Sequence, residues 1–306
     1  MKAAFLGTPA AAVPSLSALL QIADVGPVVT RPHRPRGRGR RLAEPPVSVA
    51  AREWGLEVVQ PTDGSQLAGE LAGRELDIAV VVAYGRLLGA DVLATTRIGF
   101  VNVHFSLLPR WRGAAPVPRS IVAGDEVTGV TLMQIDAGLD TGPVIAVRET
   151  EIRDDETGGS LTARLADLGA VLLRDVLPEF VLGQRTPAPQ IEAGAVIAPP
   201  VTTDEARLDP SGDAFAAERM VRAFHPRPGA WISIDGVRIK ILEAAPQELN
   251  VPTGTLEIKN ERPMIGFASG SLELRRLQPA GRRVVTGREW ARGRRGAAGW
   301  LDPVSG

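Results

Sequence analysis

Residues 77–105, DIAVVVAYGRLLGADVLATTRIGFVNVHF, decide the fold class. They hold two near-continuous apolar runs, DIAVVVA (77–83) and GFVNVHF (99–105), each of which reads as a strand buried on both faces. KAAFL (2–6) and VGPVVT (25–30) have the same character, and helical patterns lie near 10–22, 46–54, 64–72 and 116–123. Strand-helix alternation with such strands predicts an α/β fold, a doubly wound and mostly parallel sheet with helices on both faces. GVTLMQI (129–135) and VIAVRETEI (144–152) continue the strand pattern, and a helix is expected from about Gly159 to Phe180.

The pattern then changes. LGQRTPAPQIEAGAVIAPPVTTDEA (182–206) is rich in Pro, Thr and Ala and without clean periodicity, which reads as a linker. Beyond it come short strands: WISI, the pair Asp235-Gly236, then VRIKILEA, a strong hairpin signal. GTLEI, MIGFA and LELRRL follow at short intervals, so a small OB-like β-barrel is expected. The expected organisation is a first domain over 1–181, a linker over 182–204 and a barrel domain over 205–306.

A chain of 306 residues suits two domains, and 44% hydrophobic with 23% charged residues is an ordinary globular balance. Aromatics are only 4%, so the core must be mostly Ala, Val, Leu and Ile. The absence of Cys excludes disulfides, zinc-thiolate sites and a cysteine nucleophile. His33, His104 and His225 lie far apart, which argues against a histidine-rich metal site. No leader-like or membrane-spanning run is visible, and a soluble, cytoplasmic protein is expected. Positive and negative charges balance at 35 each, but the positive ones cluster. RPHRPRGRGRR (31–41) holds six Arg and no acid, and the segment from Arg282 to Arg295 is also basic. Such patches suit phosphates, although arginine-rich surface loops are also commonly just solvated.

The chain contains no P-loop, no complete dinucleotide fingerprint and no GxSxG elbow, and it offers no obvious nucleophile. A substrate group must then attack. Asn102 and His104 stand two apart at the end of a strand, so their side chains project to one side while Val101 and Val103 face away. The carboxyl ends of strands in an open parallel sheet are where ligands bind. SLLPRWRGAAP (106–116) forms the loop that follows, and Asp140 in GLDTG (138–142) can orient the imidazole. Asn, His and Asp together suit acyl transfer to an amine: Asn102 as donor to an oxyanion, His104 as acid or electrostatic stabiliser, Asp140 as its orienter. Each also has a purely structural reading, as a strand-end histidine, a loop cap and a turn residue.

NVHFSLLPRWRGAAP followed by GVTLMQIDAGLDTG resembles the methionyl-tRNA formyltransferases. The opening FLGTP, the loop RPHRPRGRGRRL, the strand VVVAYG and RRLQPAGRR (275–283) resemble the same family, in the same order over nearly the whole chain. The resemblance implies transfer of a formyl group from 10-formyltetrahydrofolate, as co-substrate, to the α-amino group of methionyl-initiator tRNA, with no metal. It places Asn102, His104 and Asp140 on the catalytic positions and Ser106, Leu107, Leu108 and Pro109 on a folate-binding SLLP. It places Val82, Tyr84, Gly85 and Leu88 along the pterin pocket, mostly through backbone.

The resemblance also sends the arginine loop into the acceptor end of the tRNA. Arg38 is the residue expected to discriminate the initiator stem, and Arg34, Arg36, Arg40 and Arg41 are expected to meet phosphates, which position rather than specify. In the barrel Arg275 and Arg282, with Arg276 and Arg283, are expected along the tRNA backbone. The partners implied are initiator methionyl-tRNA and a folate, with no membrane, and the protein is expected to act as a monomer.

Three positions depart from the family pattern. Phe105 replaces a small residue beside His104, and either reshapes the pocket or packs away with Val103; Ala11 replaces an aromatic; Pro200 stands where a Lys is usual. Two rival readings share the features. A formyltransferase acting on a sugar-nucleotide or purine-ribotide amine explains the triad but has no need of a six-arginine loop and a basic barrel. A non-catalytic RNA-binding protein explains the basic segments but has no need of the triad.

Overall fold

The computed structural model describes residues 1–36, 41–294 and 299–302. It divides into two compact units, one of Met1–Pro116, Val127–Glu151 and Thr162–Ala198, the other of Val117–Glu126, Ile152–Leu161 and the chain from Pro199 onward.

The first part of the chain runs β1 (Lys2–Gly7), α1 (Val13–Leu20), β2 (Asp24–Val29), β3 (Arg34–Arg36), β4 (Arg41–Ala43), α2 (Pro46–Glu53), β5 (Val58–Val59), α3 (Gly64–Leu71), β6 (Leu76–Val82), α4 (Ala90–Leu93) and β7 (Thr96–His104). It continues with α5 (Pro116–Ala123), β8 (Val127–Gln134), β9 (Val144–Glu151) and α6 (Gly158–Val181). The main sheet has the order β5-β2-β1-β6-β7-β8-β9. It is parallel from β5 to β7, and then β8 and β9 pair antiparallel. The near-continuous apolar strands are buried on both faces: Ala3, Ala4, Phe5 and Leu6 of β1 and Ile78, Ala79 and Val80 of β6 are all fully inaccessible. One face packs Ala4, Leu6 and Ala79 against Leu67 and Leu71 of α3 and Val92 of α4. Asp63 caps α3 by accepting a 2.9 Å bond from the Gln66 amide.

Strand order reverses where β1 lies between β2 and β6, and the chain crosses there to build the other half of the sheet. That reversal leaves an open crevice at the carboxyl ends of the strands. The register then places Asn102 between Val81 of β6 and Met133 of β8, and His104 opposite Thr131.

The second part of the chain begins with α7 (Ala214–Ala223), capped by Asp213, and continues through β10 (Trp231–Ile234), β11 (Val237–Gln247), β12 (Thr255–Lys259) and β13 (Arg262–Gly266). Strands β14 (Ser271–Pro279) and β15 (Val285–Thr286), helix α8 (Gly287–Gly293) and strand β16 (Gly299–Trp300) complete it. The antiparallel order is β10-β11-β14-β13-β12-β16, with β15 also on β14. A bridge between Ile234 and Leu301 brings the two ends of this sheet together, and the result is nearly a barrel. Asp235 and Gly236 both take positive φ, 51° and 74°, as a two-residue hairpin turn between right-twisted strands demands. The interior is aliphatic, with Ile232, Ile239, Leu256, Ile265 and Leu274 buried against Ala214, Ala217 and Val221 of α7.

The stretch 182–206 contains no helix or strand of its own, but it is not unattached. Ala188 exchanges backbone bonds with Val144 at 2.8 Å in both directions, and Ile197 bridges Arg112. Among the described residues no helix is long and apolar enough to cross a membrane.

Candidate active site

A cavity of about 470 Å³ opens at the carboxyl ends of β6 and β7. One wall is the turn after β6, residues 83–88, and another is the loop 135–140 after β8. Asn102, His104 and Asp140 all line it. The two strand residues reach it because they share a face of β7, as their spacing predicts.

His104 is buried, and its Nε2 lies 2.9 Å from the carbonyl oxygen of Trp111. A carbonyl can only accept, so this contact holds a hydrogen on Nε2 and leaves Nδ1 as the nitrogen that exchanges a proton. Nδ1 lies 3.6 Å from Oδ2 of Asp140. The same Oδ2 accepts a 2.8 Å bond from the Gly113 amide, and Oδ1 accepts from Asn102 Nδ2 at 3.4 Å. The carboxylate is therefore an acceptor shared by a backbone amide and a side-chain amide, with an imidazole beside it. Gly113 sits at φ 115° with the Ala198 carbonyl so close that an added Cβ would lie 2.9 Å from it, so only glycine brings this N–H to the acid.

The SLLP stretch lies behind this group rather than on the cavity wall. Ser106 is fully buried and donates to the Arg110 carbonyl at 2.6 Å. The Thr131 hydroxyl donates to the Ser106 carbonyl at 2.7 Å and accepts from the Leu108 amide at 3.1 Å. Leu107 approaches Gly129 of β8, and the Pro109 carbonyl accepts from the Val196 amide. Replacing Thr131 by Val would leave a buried carbonyl and a buried amide unpaired, and a loss of about 2 kcal/mol is expected. Thermal unfolding checks this, and an unchanged midpoint would exclude the pairing as a stabilising contact.

Of the residues expected around the pterin, Tyr84, Gly85 and Leu88 line the cavity, whereas Val82 is buried and does not. Burial raises the Tyr84 phenol above its ordinary pKa, and Arg86 pulls it the other way. The remaining lining is mostly apolar, with Val81, Leu87, Met133, Ile135 and Leu139. Phe105 is buried and packs beside Val103 toward Gly169 of α6, where an added Cβ would lie 2.7 Å from Val103 and 3.7 Å from the Phe105 ring. Both residues also border the cavity.

The sequence reading missed a second tier of residues. Gln190 donates from Nε2 to the carbonyls of Asp140 (2.9 Å) and Gly142 (2.8 Å). Its Oε1 accepts from the buried Arg112, at 3.0 Å from Nε and 2.8 Å from Nη2. Arg112 is in turn neutralised by Glu192, at 3.1 and 3.0 Å, and those bonds hold the Glu192 carboxyl below its usual pKa. Among the described residues no group of His, Asp or Glu is placed to hold a metal ion.

The expected tRNA residues fall in three places along the chain. Arg38 and Arg40 lie outside the described residues; Arg34, Arg36 and Arg41 fall in the paired strands β3 and β4, where Arg36 faces Arg41 in register. Arg275 borders a small cleft with Arg262, Arg288 and Thr286, its Nε 3.9 Å from Glu273. The Arg282 carbonyl accepts from Gln278 on the exposed turn after β14. Neither Arg275 nor Arg282 borders the cavity that holds the triad.

The profile described as formyl transferase matches residues 1–177, and that of the formyl transferase C-terminal domain matches 200–295. A methionyl-tRNA formyltransferase of Halorhodospira halophila is 47% identical over 98% of both chains. The chain belongs to the methionyl-tRNA formyltransferase family. Another member of that formyltransferase family, from Paenarthrobacter aurescens, is 44% identical over 96% of this chain and 97% of its own. A solved N-formyltransferase from Helicobacter canadensis, in complex with folinic acid and dTDP-3-aminofucose, superposes with a TM-score of 0.68 at 18% identity. It covers 90% of this formyltransferase and 98% of its own chain, and at that identity it shares the fold alone.

Proposed function

We propose that this enzyme transfers the formyl group of 10-formyltetrahydrofolate to the α-amino group of methionyl-initiator tRNA, with Asn102, His104 and Asp140 as its catalytic residues. The observation that carries this reading is the meeting of those three polar side chains on the wall of a mostly apolar cavity at the strand ends. The cavity is of the size that takes a flat heteroaromatic ring, with apolar side chains for its faces and a few polar groups for its edge. Tyr84, Gly85 and the side chain of Leu88 would supply the pterin wall, with Val82 buried at the end of β6, while Ser106, Leu107, Leu108 and Pro109 would hold the loop after β7 against β8.

The neutral amine attacks the formyl carbon, and the carbonyl oxygen becomes an oxyanion. Asn102 keeps one amide hydrogen on Asp140 and turns the other toward that oxygen. His104, protonated at Nδ1, places positive charge beside it, and Asp140 supports that charge. The bond from carbon to N10 of the folate then breaks, the amine nitrogen loses its proton, and N10 gains one.

Residues 1–181 would carry this chemistry and 182–204 would connect it to the barrel of 205–306. The arginine loop would receive the acceptor end, with Arg38 discriminating the initiator stem and Arg34, Arg36, Arg40 and Arg41 on phosphates. Arg275 and Arg282 would follow the tRNA backbone on the barrel. The deciding experiment is a formyl-transfer assay with 10-formyltetrahydrofolate and, as acceptors, initiator Met-tRNA, elongator Met-tRNA, free methionine and an amino-sugar nucleotide. Rapid transfer to the initiator alone is expected, and Arg38→Ala should erode the preference over the elongator without weakening folate binding. Transfer to the sugar nucleotide with none to tRNA would replace this reading by the small-substrate one.

A further inference from the structure

We infer that Gln190, in the irregular stretch that reads as a linker, is a positioning residue for the catalytic aspartate. The inference rests on the proposed role of Asp140. Asp140 takes a left-handed backbone, φ 53°, a conformation that an L-residue keeps only when its surroundings hold it there. The surroundings that do so are unusual in their origin. The Asp140 carbonyl and the Gly142 carbonyl both point at one amide group, that of Gln190, fifty residues further along the chain. With these two bonds the side chain of Gln190 spans the peptide units that flank the Thr141-Gly142 pair and fixes their orientation.

Gln190 is itself held from the other end. Its Oε1 takes two N–H groups of Arg112, a guanidinium that is only 4% exposed. The next donors of the same guanidinium go to Glu192, two residues beyond Gln190, so the buried charge is paired. Arg112 also belongs to the loop that presents the Gly113 amide to the Asp140 carboxylate and the Trp111 carbonyl to His104. Its own backbone is paired with the far end of the same stretch, the Arg112 amide to Val196 at 2.9 Å and the Ala198 amide to the Arg112 carbonyl at 2.7 Å. One short segment thus ties the loop of the acid to the loop of its partners, and Gln190 is the point where the two meet. It touches neither the cavity nor any reacting group.

Gln190→Glu is the discriminating substitution. It keeps the length and the acceptor for Arg112 but loses both N–H donors and sets a carboxylate oxygen against the two carbonyls, so the hold on them is lost while the bond to Arg112 is kept. A misplacement of the acid by a fraction of an ångström costs turnover without costing substrate binding. The variant should lose about tenfold to 100-fold in kcat, with KM for the folate and for the tRNA within about twofold of the wild type. The second half of the test repeats the change in an Asp140→Asn background, where a residue that acts through the carboxylate has nothing left to position. There the additional loss should shrink to about threefold or less. The same fold loss in both backgrounds, a loss carried by KM, or an unchanged kcat would overturn the inference. Gln190→Met run through the same cycle serves if the buried Glu prevents folding. Asp140→Asn alone tests the catalytic reading separately: normal turnover there removes Asp140 from the mechanism, whatever Gln190 does.

Discussion

Asp140→Asn is expected to slow formyl transfer by about 10²-fold or more while leaving tRNA binding almost unchanged. The substitution preserves shape and removes charge, and both effects matter at this position. The Gly113 amide donates to Oδ2. An asparagine that keeps its oxygen there must turn its NH₂ toward Asn102, whose own NH₂ then loses its acceptor and whose amide must flip to offer an oxygen instead. The neutral group also withdraws the negative charge beside Nδ1 of His104, which makes the imidazolium harder to form when the oxyanion develops. Single-turnover kinetics with saturating folate and tRNA isolate the chemical step. Binding measured in parallel should be nearly that of the wild type, because the acid does not lie on the arginine-rich segments. Near-normal single-turnover rates would falsify the assignment.

An even larger loss, about 10³-fold, is expected for Asn102→Asp. Removing an oxyanion donor alone costs about 10²–10³ in turnover. Here the isosteric replacement also puts a second carboxylate within 3.4 Å of the first, in a partly buried pocket. Like charges at that distance do not both ionise freely, so the pair takes up a proton, and whenever that proton sits on Asp140 the charge beside His104 is lost as well. A signature distinguishes this from a simple loss of fold. Activity of the variant should depend on pH differently from that of Asn102→Ala, since only the former carries a new titrating group. Identical pH profiles for the two variants would show that charge repulsion plays no part.

Much of the first unit is legible in the chain because its strands carry nearly unbroken apolar runs, and few structures other than a covered parallel sheet can hide them. The same period-two logic puts Asn102 and His104 on one side of β7. The barrel is readable from its turns, Asp235-Gly236 above all. What escapes has a physical reason in each case. Helix α7 buries Ala214, Ala217 and Val221, but two alanines leave a faint apolar stripe beside the charged Glu218, Arg219 and Arg222. The turn Asn260-Glu261 takes positive φ at both residues, 52° and 63°, where a glycine would have announced it and a glutamate does not. The network of Gln190, Arg112 and Glu192 is invisible because its members are polar residues in aperiodic stretches, brought together only by tertiary structure. For the SLLP stretch, the residues alone do not give the bonds that order it, such as that of the Ser106 hydroxyl to the Arg110 carbonyl.

The placement of Gln190 bears on how such enzymes can exchange parts. A recombination junction drawn where regular structure ends, just after α6 at Val181, would take the acid from one parent and its brace from another. A crossover after Ala198 would inherit the loops of Arg112 and Asp140 together with the segment that joins them. Chimeras that trade C-terminal halves should therefore tolerate the later junction better, and natural shuffling of the two halves would be expected to respect it.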